Sequence, residues 1–159
     1  MIIFQKIRWK NFLSTGDHFS EIDFTKNGTN LIVGTNGTGK STVLDALTFS
    51  LFNKPFRKIN KSQLVNATNE KYTKVEVEFN INGRQYLVRR CMKPNLFEIE
   101  VDGQKMHKQS DDRAMQKILE ENILKVNYKS FTQIVILGSS AFVPTIKFVP
   151  FLVKSISEK

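Results

Sequence analysis

Cysteine and histidine are scarce in this sequence, and their scarcity excludes two classes of site. The 159 residues include one cysteine, Cys91, and two histidines, His18 and His107. A single cysteine cannot form an intramolecular disulfide, and sparse cysteine is typical of proteins from reducing compartments. Neither histidine has other metal-ligand residue types at the spacing that a zinc site needs. We expect Cys91 to be an ordinary strand residue, and the histidines to lie on the surface or in strands.

Long apolar runs are absent as well. No stretch approaches the roughly 20 residues of a membrane-spanning helix, and the first residues do not resemble a secretory signal. Hydrophobic residues make up 40% and charged residues 25% of the chain, which is typical of one globular domain. Lys and Arg number 24 against 15 Asp and Glu, for a net charge of +9. That excess suits a polyanion such as nucleic acid or nucleotide, although it serves solubility equally well.

One motif predicts a specific ligand. Residues 34–41 read Gly-Thr-Asn-Gly-Thr-Gly-Lys-Ser and match the phosphate-loop pattern G-x-x-x-x-G-K-[S/T] at every fixed position. The apolar run 29–33 predicts a strand before the loop, and 41–52 predicts an amphipathic helix after it. The apolar face of that helix comprises Val43, Leu44, Leu47 and Leu51. In this arrangement backbone N–H groups and the helix N-terminus surround a phosphate, so we expect ATP and Mg²⁺ as ligands. Lys40 would be the catalytic residue on the β/γ-phosphates, and the Ser41 hydroxyl would bind the metal.

The rest of the chain predicts mostly strands. Alternating residues over 3–9 and 20–24 predict two strands before the phosphate loop. Residues 72–107 predict an antiparallel meander, because Asn82-Gly83 and Asp102-Gly103 are preferred hairpin turns.

Two further elements follow the meander. Ser110 is expected to cap a helix with Asp111 and Asp112 in its first turn. The buried face of that helix comprises Met115, Ile118, Leu119 and Ile123. The apolar run 131–137 predicts a strand buried on both sides.

The order of motifs resembles that of SMC-like DNA-repair ATPases. The resemblance rests on Lys10-Asn11-Phe12, Asp23-Phe24, Asn36-Gly37 in the loop and Leu44-Asp45-Ala46-Leu47 in the helix. Within that family, the ATPase subunits of bacteriophage recombination endonucleases are particularly similar. The segments that carry this closer similarity are 52–69, 93–99 and 131–138. The resemblance covers about residues 2–144.

The resemblance implies an α/β fold, the N-terminal lobe of a P-loop NTPase head of ABC type, with an antiparallel β meander and flanking helices. Residues 1–144 would form this half-head, and 145–159 would be a divergent, unassigned tail. The implied nucleotide-binding residues of the phosphate loop are Gly34, Asn36, Gly37, Thr38, Gly39, Lys40, Ser41 and Thr42. A loop beside the adenine would comprise Asn66, Ala67 and Thr68.

The resemblance also implies partners. Family heads dimerise around two ATP molecules, act on DNA ends and work with a metal-dependent nuclease subunit. A coiled coil separates the two halves of each head. A phage protein of this kind would act in the cytoplasm of the bacterial host, without a membrane. Basic residues that are candidates for DNA contact are Lys54, Arg57, Lys58, Lys61, Arg89 and Arg90.

Two positions depart from the family pattern. Leu13 stands where an arginine often follows the Asn-Phe pair, and Ser139 stands where a metal-binding glutamine follows the buried strand. The nearest glutamine, Gln133, lies within that predicted strand, so we expect it to be structural.

The sequence lacks three further elements that family members use for hydrolysis. These are four apolar residues followed by Asp-Glu, a Leu-Ser-Gly-Gly signature and coiled-coil heptads. Phosphoryl transfer needs a second carboxylate to hold Mg²⁺ and a group that orients water. We therefore expect ATP binding by a truncated half-head, with hydrolysis only when the C-terminal half is supplied. Two alternatives stay open: a complete small P-loop kinase that uses Asp102 or Asp111, and a non-functional remnant.

Overall fold

The computed structural model describes residues 1–26, 31–33, 35, 39–107, 111–134 and 136. In these residues an antiparallel sheet has six strands: β1 Ile2–Lys10, β2 Ser20–Asp23, β3 Thr73–Ile81, β4 Arg84–Met92, β5 Leu96–Val101 and β6 Gln104–Lys105. The strands lie in the order β2-β1-β3-β4-β5-β6. The helices are α1 Thr42–Phe52, α2 Asp112–Lys117 and α3 Tyr128–Ile134, with a 3-10 turn at Lys61–Leu64 and a π-helical segment at Ile118–Leu124. Among the described residues, no helix has the length and apolarity to cross a membrane.

The predicted meander is confirmed, and its turns have the expected chemistry. Asn82 and Gly83 have φ angles of 51° and 86°, and Asp102 and Gly103 have φ angles of 51° and 79°. Type I′ hairpin turns need positive φ at both central residues, which Asn-Gly and Asp-Gly adopt readily. The two strands predicted before the phosphate loop are also confirmed as β1 and β2.

Helix α1 lies against the inner face of the sheet and forms the centre of the core. The inner face carries Ile7 and Trp9 from β1, Val75, Val77 and Phe79 from β3, and Val88 from β4. The sequence predicted one apolar face for α1, but every residue from Thr42 to Phe52 is buried. Phe49 meets Phe12 at 5.8 Å between ring centroids, and Phe52 meets Phe131 at 5.0 Å. The helix is therefore enclosed by the sheet, by the turn after β1 and by α3.

Two predicted strands are wrong in the described residues. Most of the run 131–137 is helical, as α3, because Asn127 accepts a hydrogen bond from the Ser130 amide at 2.9 Å and starts a helix. A short apolar run cannot distinguish a buried strand from a buried helix. Residues 31–33 are not a strand, and Leu31 and Val33 are 64% and 71% exposed. A strand of a parallel core is stabilised by neighbours on both sides, and the described sheet places none there.

The cap of α2 also differs from the expectation. The Asp111 side chain accepts a hydrogen bond from the Ala114 amide at 2.7 Å and is the N-cap residue. Ser110 lies outside the described residues. Met115 and Leu119 are buried as predicted, and Leu124 joins them at the end of the π-helical segment.

The outer face of the sheet carries a network of ion pairs centred on Glu76. This carboxylate is 2% exposed, and it accepts hydrogen bonds from Arg8, from Lys74 at 2.9 Å and from Arg89 at 2.7 Å. Burial raises the pKa of Glu76, but the hydrogen bonds from the three cations outweigh burial and lower the pKa to about 2. Arg89 also binds Glu98 and Glu100, which extends the network across β5.

Substituting Glu76→Gln should lower the free energy of unfolding by about 3 kcal/mol at pH 7, because each pKa unit is worth about 1.4 kcal/mol. The carboxylate stabilises the fold above its unfolded pKa near 4.5, and this contribution disappears as the pH falls through about 2. Urea titrations followed by circular dichroism at pH 7, 4 and 2 should show the difference between variant and parent shrinking. Glu21→Gln is the control, since Glu21 is 42% exposed and lies 3.6 Å from Lys6. Equal losses from the two substitutions would contradict the assignment.

Candidate nucleotide-binding site

The turn Gly39–Thr42 begins α1 and contains the described end of the phosphate loop. The Thr42 amide donates to the Gly39 carbonyl oxygen at 2.9 Å, which closes the turn. Gly39 has a φ of +85°, and a Cβ added there would lie 3.3 Å from Thr42 Oγ1. Glycine is therefore required at this position by its backbone conformation and by the close approach of Thr42. Gly34, Asn36, Gly37 and Thr38 lie outside the described residues.

Ser41 is the N-cap residue of α1, and its hydroxyl makes no capping hydrogen bond. Its carbonyl oxygen accepts from the amides of Leu44 and Asp45 at 3.1 and 3.3 Å. The side chain is exposed beside the positive end of the helix dipole. A hard hydroxyl oxygen in this place suits Mg²⁺, which takes oxygen ligands alongside phosphate.

Lys40 folds back over the loop. Its ammonium donates to the Thr35 carbonyl oxygen at 2.9 Å. The ammonium thus lies against the loop backbone, within the segment that the motif assigns to phosphate. Gly39, Lys40 and Ser41 together supply the turn, cation and hydroxyl that fit a nucleotide phosphate with its Mg²⁺.

Asp45 anchors α1 to the segment that follows the helix. The carboxylate is fully buried, and one oxygen accepts from the amides of Phe56 and Arg57 at 3.0 Å each. The other oxygen accepts from Arg57 Nε at 2.6 Å. In the sequence alone, Asp45 contributes only to the family resemblance, and Arg57 is a candidate for DNA contact. The structure gives the pair a positioning role for α1, although the Arg57 side chain remains 45% exposed.

Arg90 and Gln116 bind the other end of α1. The Leu51 carbonyl oxygen lies in the last turn of α1, where carbonyls have no intrahelical donor, and it accepts from Gln116 Nε2 at 2.9 Å. Arg90 Nε donates to the Ser50 carbonyl oxygen at 3.1 Å, and Arg90 Nη2 donates to Gln116 Oε1 at 2.6 Å. A cation at a helix C-terminus stabilises the helix dipole.

Arg90 and Arg89 are therefore wrong as candidates for DNA contact. Arg90 is 5% exposed and lies 3.7 Å from the centroid of the Phe97 ring. Burial lowers the pKa of Arg90 to about 10, so the side chain is still a cation at pH 7. The Arg89 side chain is 18% exposed and is shared among Glu76, Glu98 and Glu100. The guanidinium groups of Arg89 and Arg90 therefore bind partners within the protein.

The loop expected beside the adenine is built around Asn66. This residue is 7% exposed, and its Nδ2 donates to the Leu13 carbonyl oxygen at 2.8 Å. Its Oδ1 accepts from the amides of Thr68 and Asn69 at 3.0 and 2.9 Å. Ala67 and Thr68 are exposed at the tip of the loop. Asn66 therefore shapes the loop from within, while Ala67 and Thr68 are the members open to a ligand.

Asn11 holds this loop to the sheet, a role that sequence reasoning missed. Its carbonyl oxygen accepts from the Asn66 amide at 3.1 Å and from Thr73 Oγ1 at 2.8 Å. Its side chain accepts from Asn69 Nδ2 at 2.6 Å and donates to Asp17 Oδ1 at 2.9 Å. Asn11 is 1% exposed with a φ of 49°, a conformation that asparagine tolerates well. The only signal in the sequence was its place in the Lys10-Asn11-Phe12 motif.

The family's metal-binding glutamine would follow the run 131–137, where this sequence has Ser139. Gln133 lies on α3 and is exposed, so the expectation of a structural role within a buried strand is wrong. Ser139 lies outside the described residues. Within the part of the chain that the structure describes, no group of three or more His, Cys, Asp and Glu side chains could hold a metal ion.

Known proteins similar to this chain include an exonuclease subunit and an ATPase. A family model described as an AAA domain matches residues 6–159. The chain is 41% identical over 139 residues to exonuclease subunit 2 of Escherichia phage RB69, covering 87% of this chain and 25% of that protein. It is 33% identical over 136 residues to the DNA double-strand break repair Rad50 ATPase of Thermoplasma volcanium, covering 82% of this chain and 14% of that protein. The chain thus spans about a quarter, or less, of the length of these curated relatives.

A solved structure from work on ATP-driven dimerization and DNA-stimulated activation of SMC ATPases has the same fold. It superimposes with a TM-score of 0.61 at 26% identity, covering 86% of this chain and 87% of that one.

Substituting Gly39→Ala should weaken binding of a fluorescent ATP analogue about 5- to 30-fold. An alanine at a φ of +85° is strained by about 1–2 kcal/mol, and its Cβ would displace Thr42. Gly16→Ala is the matched control, since a Cβ there meets nothing within 4 Å. Fluorescence titration of both variants checks the result, and an unchanged affinity in Gly39→Ala would show that the turn does not form the site.

Proposed function

The chain belongs to the AAA domain family and folds as the N-terminal lobe of an ABC-type ATPase head, and from that premise we propose that it binds ATP and Mg²⁺ for an SMC-like DNA-repair ATPase. The observation that carries the proposal is the Gly39–Ser41 turn at the N-terminus of a fully buried helix. A phosphate bound there meets a helix dipole and a lysine that the fold holds in place.

Each residue of the site has a distinct part in this proposal. Lys40 neutralises charge on the β- and γ-phosphates, and its ammonium exchanges the Thr35 carbonyl oxygen for phosphate oxygens. Ser41 supplies a hydroxyl oxygen to the metal. Bound Mg²⁺ would neutralise further charge that develops on the phosphates during transfer. In this proposal the amides of residues 37–42 surround the phosphates, and the loop of Asn66, Ala67 and Thr68 flanks the adenine.

Hydrolysis in this proposal needs a C-terminal half. Leu31 and Val33 lead into the phosphate loop, and their exposure of 64% and 71% leaves apolar surface that a neighbouring strand would cover. The two acids that a complete kinase would need are occupied elsewhere in the fold. Asp102 Oδ1 accepts from the Gln85 amide at 2.9 Å, and Asp111 caps α2. We therefore favour an ATP-binding half-site that a second polypeptide segment completes.

The proposed partners follow from the relatives. Exonuclease subunit 2 and Rad50 are named for nuclease and double-strand-break functions. We propose DNA ends as substrate, a nuclease subunit, a C-terminal half and a second head as partners, and a bacterial host cytoplasm as location. Of the basic residues first considered, Lys54, Lys58 and Lys61 remain candidates for DNA contact.

Substituting Lys40→Ala should weaken ATP binding about 10- to 100-fold, because a hydrogen bond to a charged group contributes about 1.5–3 kcal/mol. Isothermal titration with a non-hydrolysable ATP analogue measures the change. Lys117→Ala removes an exposed lysine of α2 and should bind like the parent chain. Equal affinity in the two variants would refute the assignment of the phosphate site.

Adding the C-terminal half should produce ATP hydrolysis that the chain lacks alone. The experiment mixes this chain with a separately expressed C-terminal half from the phage relative and measures phosphate release. Lys40→Ala in the same mixture should remain inactive, which links turnover to this phosphate loop. Robust turnover by the unmixed chain, or none after mixing, would contradict the proposal.

A further inference from the structure

Charges on the outer face of the sheet form rows across the strands. In one row, residues opposite one another alternate in sign: Glu21, Arg8, Glu76, Arg89 and Glu98. The next row toward the β3–β4 turn contains Asp23, Lys6, Glu78, Leu87, Glu100 and Lys105. Opposite charges on neighbouring strands stabilise a sheet, and most directly opposite residues in these two rows have opposite charge.

The row at the other end breaks this alternation. Lys10 lies directly opposite Lys74, and the row continues through Cys91 to Leu96 without an acid. Like charges in directly opposite positions are destabilising. Lys10 binds Asp17 at 3.0 Å, and Lys74 must share Glu76 with two arginines. This end of the sheet therefore keeps an excess of positive charge.

Two exposed aromatic rings lie at the same end. Phe19 is 41% exposed, and its ring centroid lies 4.9 Å from Arg8 Cζ, 5.5 Å from Lys10 Nζ and 5.8 Å from Lys74 Nζ. Tyr72 is 56% exposed, with Lys71 Nζ 5.5 Å from its ring centroid. We call this set the cationic corner; it comprises Arg8, Lys10, Phe19, Lys71, Tyr72 and Lys74.

The corner is held firmly in place. The Tyr72 amide donates to the Lys93 carbonyl oxygen at 2.8 Å, and Asn11 Nδ2 donates both to the Tyr72 carbonyl oxygen and to Asp17. Asn11 is 1% exposed, so the two segments that carry Phe19 and Tyr72 meet at a buried residue. The segments that carry the two rings are thus hydrogen-bonded to the same buried side chain.

We propose that the cationic corner binds single-stranded nucleic acid, with phosphates on its lysines and unpaired bases stacked on Phe19 and Tyr72. Proteins that bind single strands combine cations with exposed aromatic rings, because every base has a face that can stack on a ring. A duplex keeps its bases paired and offers phosphates only, so the rings favour a single strand. The inference rests on the DNA part of the proposed function and identifies the corner as a site for the unpaired strand at a DNA end.

The test separates stacking from charge. Anisotropy of a fluorescein-labelled oligothymidine of about 10 nucleotides is measured at several KCl concentrations. Phe19→Ala should weaken binding about tenfold and leave the salt dependence unchanged, because it removes a stacking ring and no charge. Lys10→Ala should reduce the slope of log K against log salt by about 0.7, the value for one phosphate contact on a single strand. Lys105→Ala, an exposed lysine paired with one acid at the far end of the sheet, should match the parent chain in both readouts.

A second substitution at Phe19 separates the aromatic ring from its apolar volume. Phe19→Leu keeps apolar volume without the ring and should bind as weakly as Phe19→Ala, and both variants should retain the ATP-analogue affinity of the parent chain. Retained ATP binding shows that any loss of the oligonucleotide does not reflect failure of the phosphate site. The proposal is overturned if the Phe19 variants bind like the parent, if they lose a matched duplex equally, or if polyglutamate competes as well as the oligonucleotide.

Discussion

The position of α1 is the constraint on which the rest of the structure depends. The turn that we propose for phosphate binding lies at the first residue of this helix, and a turn can bind phosphate only if the helix behind it is fixed. Burial of all its residues fixes its distance from the sheet. Asp45 and Arg90 then fix its rotation and its far end, because each makes directional hydrogen bonds to a different segment. The charged residues inside this lobe therefore serve the geometry of the site without contacting a ligand.

The two faces of the sheet have different roles. The inner face is mostly apolar and packs on α1, while the outer face carries a lattice of charged side chains with Glu76 buried at its centre. An outer lattice of alternating sign stabilises strand pairing, but its two rows have no excess of positive charge for an anionic partner. At one end of the sheet Lys10 lies opposite Lys74, and because the two charges are alike, that stabilisation is absent there. The positive charge at this end of the sheet is available to an anionic partner, whereas charges paired with one another are not.

Local patterns in the sequence predicted the parts of the fold that local physics determines. Asn82-Gly83 and Asp102-Gly103 identified two turns because few other pairs accept positive φ twice. The glycine loop and the spacing of apolar residues identified α1. The prediction of a strand over 131–137 is wrong because Asn127, which caps helix α3, lies outside that run. Residues 31–33 were misread because a strand depends on neighbours that no local pattern reveals. Asp45 and Asn11 could not be assigned roles, since their partners are apparent only in three dimensions.

The separation along the chain of the bonds that hold α1 implies an order of assembly. Asp45 reaches Phe56 and Arg57 across 11 and 12 residues, whereas Arg90 reaches Ser50 across 40 and Gln116 reaches Leu51 across 65. Closing a short loop loses less chain entropy than closing a long one, and local contacts form faster. The helix and the turn after it can thus associate as a small hairpin-like unit before the meander is complete. The sheet would then condense on a helix that is already hydrogen-bonded to the segment after it.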